Sequence, residues 1–478
     1  MRNTSKVWAT VIGLVSFLLV LIVSPPAGLT LEAWYTAGLA TAMAAFWIGQ
    51  VMPLAVTSLL PLLVAPLLGI STIKTVGAQY GHPIIFLFLG GFVLGLAMER
   101  WRLHRRVALY LLIVFGQSPK KQLAAFMVTT ALLSMWVSNT ATAIMILPIA
   151  LSVVGDSAND RDIPHSTHFA KTLLLGIAYS ASIGGVATLI GTPPNALMAA
   201  YLQEQYAITV SFVGWMAMAL PFSVLLLCAC WLWLSRGLKP ETVSSGDSDP
   251  VSASRKGLQH ELQLLGPISS AELRVATIFM ITALLWVCRP LINEAVFAGR
   301  LSDTAIALAA AVALHLVPAG GDSKGPIMDW SHTQRLPWGV LLLFGGGLAL
   351  ASLMNTSGLA QALAGMLEIA QHWPVIVLIF MVVGLIIFLT EVTSNTATTA
   401  VFLPLMGVLA LSMELPPEVL IMPAAIAASC AFMLPVATPP NAIVFGADRL
   451  TVADMARTGL VLNLMAWVLI SALGIWLL

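Results

Sequence analysis

The chain has 478 residues, of which 59% are apolar and only 9% charged, with a formal net charge of +1. A soluble domain carries about 25% charged residues, so most of this chain belongs in a bilayer. It has no basic tract, no HExxH spacing and no Cys/His cluster, which sets aside nucleic-acid binding and a metalloenzyme centre.

Arg2 and Lys6 precede an uninterrupted apolar run at 7–23. No small-residue cleavage site follows, only Ser24-Pro25-Pro26, so the run reads as a first membrane helix. Apolar segments continue at 31–50 and 53–70, and the more polar 71–82 is expected at the surface. Residues 83–98 cross again and carry Gly90, Gly91 and Gly95, small enough to let helices approach closely. After a charged stretch at 99–106, residues 107–115 are apolar but too short to span and are expected in the interface.

The stretch 122–154 is too long for one passage and holds Ser138-Asn139-Thr140 at its centre. We read two half-length helices meeting at that triplet, a re-entrant hairpin, because non-helical backbone at membrane depth must be buried in protein or line a wet cavity. A polar loop at 156–168 leads to a helix at 169–190, interrupted by Gly191-Thr192-Pro193-Pro194. Proline supplies no N–H and restricts the residue before it, so the helix must open there. Residues 211–234 span again. The polar 235–270, with Ser244-Ser245-Gly246-Asp247 inside it, reads as a cytoplasmic linker.

A second copy follows. Helices are expected at 273–289 and 303–317, then a polar loop at 319–336 and a span at 337–354 with Gly345-Gly346-Gly347. Residues 359–372 form an interfacial candidate, 374–411 a second hairpin, 419–436 a second broken helix, and 460–478 a last span. The copies share spelling. Ser138-Asn139-Thr140-Ala141-Thr142 returns 256 residues later as Ser394-Asn395-Thr396-Ala397-Thr398, and Gly191-Thr192-Pro193-Pro194-Asn195 returns 246 residues later as Ala437-Thr438-Pro439-Pro440-Asn441. A single Ser/Thr cluster would be ordinary helix glue, whereas the repetition points to a built site. Glycines 345–347 are expected to serve packing. The four cysteines, at 228, 230, 288 and 430, lie in apolar runs and read as small hydrophobes.

Place the N-terminus in the cytoplasm and count each hairpin as a return. Only Lys74, Arg289 and Arg300 of the 22 Lys and Arg then fall outside. That positive-inside bias makes the first hairpin enter from the cytoplasm and the second from the opposite side. The expected fold class is therefore an all-α polytopic membrane protein. It has inverted repeats with about 11 transmembrane helices, two re-entrant hairpins and two broken helices.

Inverted repeats with broken elements at matching positions point to a secondary transporter with a midplane site. Freed carbonyls and hydroxyls can ligate a dehydrated cation, and half-helix N-termini attract an anion. Neither motif contains Lys or Arg, so anion binding there leans on co-bound cations. A channel would need a continuous polar pore. An intramembrane enzyme would need a nucleophile with its base, and no His or Lys accompanies the motifs. Glu391, in place of Met135 of the first copy, is either a functional intramembrane carboxylate or a structural hydrogen-bond partner for the hairpin.

Paired Ser-Asn-Thr motifs, each followed by a Thr-Pro-Pro-Asn motif, resemble the divalent-anion/sodium symporter family, which includes bacterial and animal dicarboxylate and citrate carriers. The resemblance implies a homodimer in the bacterial inner membrane, not an enzyme, working by an elevator-like movement. It implies scaffold helices at 1–119 and 271–373, a transport domain at 120–234 and 374–478, and the linker at 235–270. By motif position, one sodium ion would meet Ser134, Ser138, Asn139 and Gly191, and another Thr390, Thr393, Asn395 and Ala437. The substrate would meet Asn139, Thr140, Asn395 and Thr396, with Thr192, Pro193, Thr438 and Pro439 nearby. The implied activity is sodium-coupled import of C4-dicarboxylates such as succinate, malate or fumarate. Sodium-independent exchange, or carriage of citrate or sulfate, is the alternative within the family, and an anion channel the alternative outside it.

Overall fold

An apolar chain in hydrocarbon must satisfy its own backbone N–H and C=O groups, and helices do so segment by segment. The computed structural model is accordingly helical nearly throughout; it describes residues 2–114, 118–154, 164–238, 250–297, 299–321, 323–366 and 373–478. The expected loop at 156–168 lies outside the described residues up to 163. So do 239–249 of the linker, Asp322, and 367–372 of the interfacial segment.

The first repeat opens with α1 (Arg2–Ile22), α2 (Leu31–Ile48), α3 (Leu54–Thr57), α4 (Leu60–Leu67), α5 (Ile73–Ala78) and α6 (Pro83–Arg100). The passage at 53–70 is thus interrupted. Ser58 closes α3 and Pro61 starts α4 afresh. Residues 71–82 lie at the surface as expected, six of the twelve exposed, but they are not irregular. They form α5 and a 3-10 turn at Gln79–Gly81 that buries Val76 and Gln79. Then come α7 (Leu103–Val114), α8 (Pro119–Ser134), α9 (Asn139–Val154), α10 (Pro164–Val186), α11 (Pro193–Tyr206) and α12 (Phe212–Ser235).

The linker contains a helix, α13 (Pro250–Leu264), which packs on α7 and α9. Two consecutive arginines of α7 hold this region. Arg105 pairs with Glu261 at 2.5 Å. Arg106, buried, pairs with Glu272 at 2.9 Å and donates to the Gly266 carbonyl. The hydrogen bond to Glu272 raises the Arg106 pKa further above its ordinary value.

The second repeat comprises α14 (Ser270–Ile292), α15 (Asp303–Leu316), a two-stranded ribbon of β1 (Pro318–Gly320) and β2 (Ser323–Pro326), α16 (Trp330–Thr333), α17 (Trp338–Thr356), α18 (Leu359–Met366), α19 (Val375–Thr390), α20 (Asn395–Ser412), α21 (Glu418–Ala428), α22 (Pro439–Phe445) and α23 (Val452–Trp476). The polar loop expected at 319–336 therefore carries that ribbon and a short helix.

Among the described residues, seven helices are long and apolar enough to cross a membrane. Length alone misjudges one of them. α20 qualifies at 18 residues, yet it is a hairpin arm, because its partner α19 has 16 residues and a polar break joins them. At about 1.5 Å per residue a 16-residue arm reaches only about 24 Å of a roughly 30 Å core. The same holds for α8 and α9, of 16 residues each.

Packing reproduces the repeat. α10 lies on α8, α9 and α12, and α21 lies on α19, α20 and α23. The cross-strapping is reciprocal, since α22 packs on α9 and α10 while α11 packs on α20 and α21. Ion pairs agree with the inverted threading. Arg100–Asp329, Arg105–Glu261, Arg106–Glu272 and Lys171–Asp454 join segments that alternation puts at one end of the bundle, and Arg289–Asp303, with the 3.6 Å approach of His82 to Glu204, joins segments at the other.

The paired glycines divide their labour alike in both copies. A methyl on Gly90 would come within 2.6 Å of the Ala307 carbonyl of α15, and one on Gly346 within 2.5 Å of the Ser58 carbonyl after α3. Their neighbours face the broken-helix side, Gly91 against Ile190 and Gly347 against Leu197.

Candidate substrate and cation site

Each hairpin tip is tied to the broken helix of its own repeat by the same three groups. Ser134 Oγ lies 2.5 Å from Asn139 Oδ1 and 2.7 Å from the Ala181 carbonyl of α10. Thr390 Oγ1 lies 2.8 Å from Asn395 Oδ1 and 2.9 Å from the Ala428 carbonyl of α21. A hydroxyl has one proton. With the amides so placed, it serves one oxygen and leaves a second oxygen facing it lone pair to lone pair. Three oxygens converging on one proton suit a small hard cation; turning the amide would instead let its NH2 donate and satisfy the hydroxyl without one. The same arrangement stands in both repeats, so each could hold a cation.

The break in α10–α11 spans six residues, 187–192, and that in α21–α22 ten, 429–438. An asparagine clamps each. Asn195 Nδ2 sits 3.3, 3.0 and 2.8 Å from the carbonyls of Gly185, Val186 and Thr188. Asn441 Nδ2 sits 3.2 and 3.0 Å from those of Ala431 and Leu434. The offset of 246 that relates the two asparagines also relates Gly185 to Ala431 and Thr188 to Leu434. The asparagine of each Thr-Pro-Pro-Asn motif therefore gathers carbonyls that the opened helix has lost. Both asparagines are fully buried, and the Oδ1 of each has no partner.

The longer second break frees more N–H groups, and Glu391 collects them. Its Oε1 accepts from Phe432 N at 2.7 Å, Met433 N at 2.9 Å and Asn463 Nδ2 of α23 at 2.7 Å, while Oε2 accepts from Leu434 N at 3.0 Å. Every neighbour is a donor, which suits a carboxylate with no proton of its own. The first repeat needs no such group. Its helix continues to Val186, well beyond Ala181, whereas the second stops at Ala428, and its hairpin is joined instead by Thr188 Oγ1 donating to the Met135 carbonyl at 2.5 Å. The structural reading of Glu391 is the one the contacts support.

The remaining residues divide by exposure. Ser138 is exposed and its Oγ accepts from Ala141 N at 3.2 Å, so it caps α9. Asn139, Thr140, Ser394, Asn395 and Thr396 are half-buried at the tips. Asn139 lies against Gly185, where a methyl would stand 2.5 Å from its Oδ1. Thr393 Oγ1 is 2.6 Å from Thr398 Oγ1 and 2.9 Å from the Leu389 carbonyl. Gly191, Thr192, Ala437 and Thr438 are buried at the breaks, Pro193 is half-buried and Pro439 exposed. Thr438 Oγ1 accepts from Asn441 N at 3.4 Å. Because α22 lies on α9 and α11 on α20, each broken helix also meets the hairpin arm of the other repeat, so both motif pairs belong to one locus. Asn463 and Thr188 were missed in the sequence. Each is an isolated polar residue in an apolar run, a signal that was available.

A family model described as the sodium:sulfate symporter transmembrane region matches residues 4–478. The sodium-dependent dicarboxylate transporter SdcS of Staphylococcus saprophyticus is 37% identical over 474 residues, covering 98% of this chain and 90% of that protein. SdcS of Staphylococcus aureus strain MRSA252 is 38% identical over 475 residues, with the same coverage. Among solved structures, the Neisseria gonorrhoeae MtrF efflux pump superposes with a TM-score of 0.61 at 12% identity, over 98% of this chain and 94% of that one. The Alcanivorax borkumensis YdaH transporter superposes with a TM-score of 0.52 at 15% identity, over 84% and 87%. These two are similar in fold alone.

Proposed function

The chain belongs to the sodium:sulfate symporter family, and on that premise we propose that it imports C4-dicarboxylates together with sodium. The observation that carries the reading is the duplicated oxygen cluster of Ser134, Asn139 and the Ala181 carbonyl, matched by Thr390, Asn395 and the Ala428 carbonyl. Two clusters hold two sodium ions, one at each hairpin tip. The two ions neutralise a dianion that meets no Lys or Arg in either motif. Asn139, Thr140, Asn395 and Thr396 face the two carboxylates, and Asn139 and Asn395 belong to both shells.

Residues 120–234 and 374–478 form the moving unit, 1–119 and 271–373 the scaffold, and a homodimer is the working form. The division is supported by the hairpins lying on the broken helices of their own repeat and by the reciprocal packing of α11 and α22. The protein sits in the bacterial cell membrane with its N-terminus in the cytoplasm, supported by the Lys and Arg asymmetry. The test is succinate flux into proteoliposomes under an inward sodium gradient. Flux should collapse when choline replaces sodium. Equal flux in choline that depends on an internal counter-anion would replace symport with exchange.

A further inference from the structure

The two repeats share their hydrogen bonds but not their surroundings. Ile190, in the first break, is seated on Gly91 and 6% exposed, whereas its counterpart Val436 is 76% exposed. Ile144, on α9, is 56% exposed, whereas its counterpart Ala400, on α20, is 2% exposed. α11 packs along α17, while α22 makes no comparable contact with α6. The bundle is therefore shut at the end where α11 and α20 terminate and loose at the end where α9 and α22 terminate. By the charge asymmetry the shut end is the outer one.

At the shut end, polar contacts tie the elbow between α11 and α12 to its neighbours. Glu204 Oε1 accepts from Gln79 Nε2 at 2.9 Å, and its Oε2 lies 3.6 Å from His82 Nε2. Gln205 Oε1 accepts from Asn355 Nδ2 of α17. Eight residues after Glu204, the Phe212 N–H donates to Asp303 Oδ2 at 2.9 Å, and Asp303 is held by Arg289 at 3.0 Å. The elbow thus brings three polar anchors to groups from both halves of the scaffold.

We propose that Glu204 and Gln205, gripped by Gln79 and Asn355 with His82 alongside, form a state-specific clasp that keeps the outer entrance closed and must release for substrate to enter from that side. This rests on the scaffold and transport division proposed above. Sliding the moving unit past the scaffold carries α11 away from α17 and the 79–82 turn together, so the grips break as one. Rigid-body movement of one unit against another around a fixed site is how inverted-repeat carriers alternate access, and a population shifts only through contacts that differ between its states.

Two measurements on the full-length protein test this. The first is a Gln205→Cys/Asn355→Cys pair in a background with the four native cysteines replaced. Oxidation should cross-link the pair and stop sodium-driven succinate uptake into proteoliposomes, and reduction should restore it. A cross-link that leaves uptake unchanged, or failure of the pair to cross-link, overturns the clasp. The second reads opening without transport. With Ala400→Cys as reporter, the double variant Glu204→Ala/Gln205→Ala should raise its labelling by an impermeant maleimide from outside about tenfold, the shift expected for losing roughly two part-buried hydrogen bonds. Unchanged labelling overturns the proposal. Absence of sodium-driven uptake in the parent before oxidation counts against the carrier reading alone, and the labelling experiment still decides the clasp.

Discussion

Replacing Glu391 by Gln keeps its shape and removes one acceptor arm. The less costly placement puts the NH2 opposite Leu434 N, the single donor on Oε2, and that orphaned N–H costs about 1–3 kcal/mol. The three donors on the other oxygen lose charge assistance, a drop of about 1 kcal/mol per bond. The sum is about 4–6 kcal/mol. The ten-residue break relaxes around the substitution, so we expect about 2–4 kcal/mol to survive, or roughly 30- to 700-fold in any equilibrium that needs the break in this shape. The sodium site proposed at Thr390 and Asn395 needs it, because Thr390 and the Ala428 carbonyl flank the segment Glu391 holds. The assay is sodium-induced thermal stabilisation of the purified protein, with the sodium dependence of uptake measured in parallel. Glu391→Gln should require far more sodium in both, and Asn463→Ala, which removes one donor, should shift them less. Wild-type sodium dependence in a Glu391→Gln protein that melts at the wild-type temperature would refute the reasoning.

Asn139→Ala and Asn395→Ala should each abolish concentrative uptake while the protein reaches the membrane at wild-type levels; normal uptake by a well-expressed Asn395→Ala variant excludes that residue from the site. Gly90→Val should fail to accumulate folded protein, because its Cβ meets the Ala307 backbone rather than a movable side chain, and size-exclusion chromatography reads this directly. Arg106→Met strands the buried Glu272 carboxylate and should cost about 3–5 kcal/mol, seen as a lower melting temperature, whereas Arg106→Met with Glu272→Leu should recover much of it.

The polar motifs were legible because hydrocarbon penalises them. Ser138-Asn139-Thr140 and Ser394-Asn395-Thr396 stand out against apolar flanks; their repetition gave the hairpins, and the Lys and Arg asymmetry gave the inversion, without coordinates. The prolines at 193, 194, 439 and 440 marked both breaks for the same reason. What stayed hidden depended on neighbours distant in sequence. The interrupted passage at α3 and α4 has the composition of one span, and its break is read from the close approach of Gly346 to Ser58. The helix inside the linker is held by Arg105 through Glu261, and the turn after it by Arg106, both distant in sequence, and the local sequence carries no sign of them. Glu391 announced itself as unusual, but its role required knowing that the second break is longer than the first, and the offset of 246 against 256 does not show it, since it only makes the second copy shorter between tip and break.

The reciprocal strapping of the repeats bears on how the protein is made. Hairpin 1 is completed by α22, whose first residue lies 300 positions after Asn139. At about 5–20 residues per second, synthesis leaves that interval open for roughly 15–60 s. Throughout it the tip of the first hairpin must be held short of crossing, its amide and hydroxyls without the helix that will cover them. A half-chain ending at the linker is therefore expected to remain with the insertion machinery rather than partition freely into lipid. Supplying the second half as a separate polypeptide in the same cell should rescue it, since what the first repeat lacks is a surface, not a covalent bond.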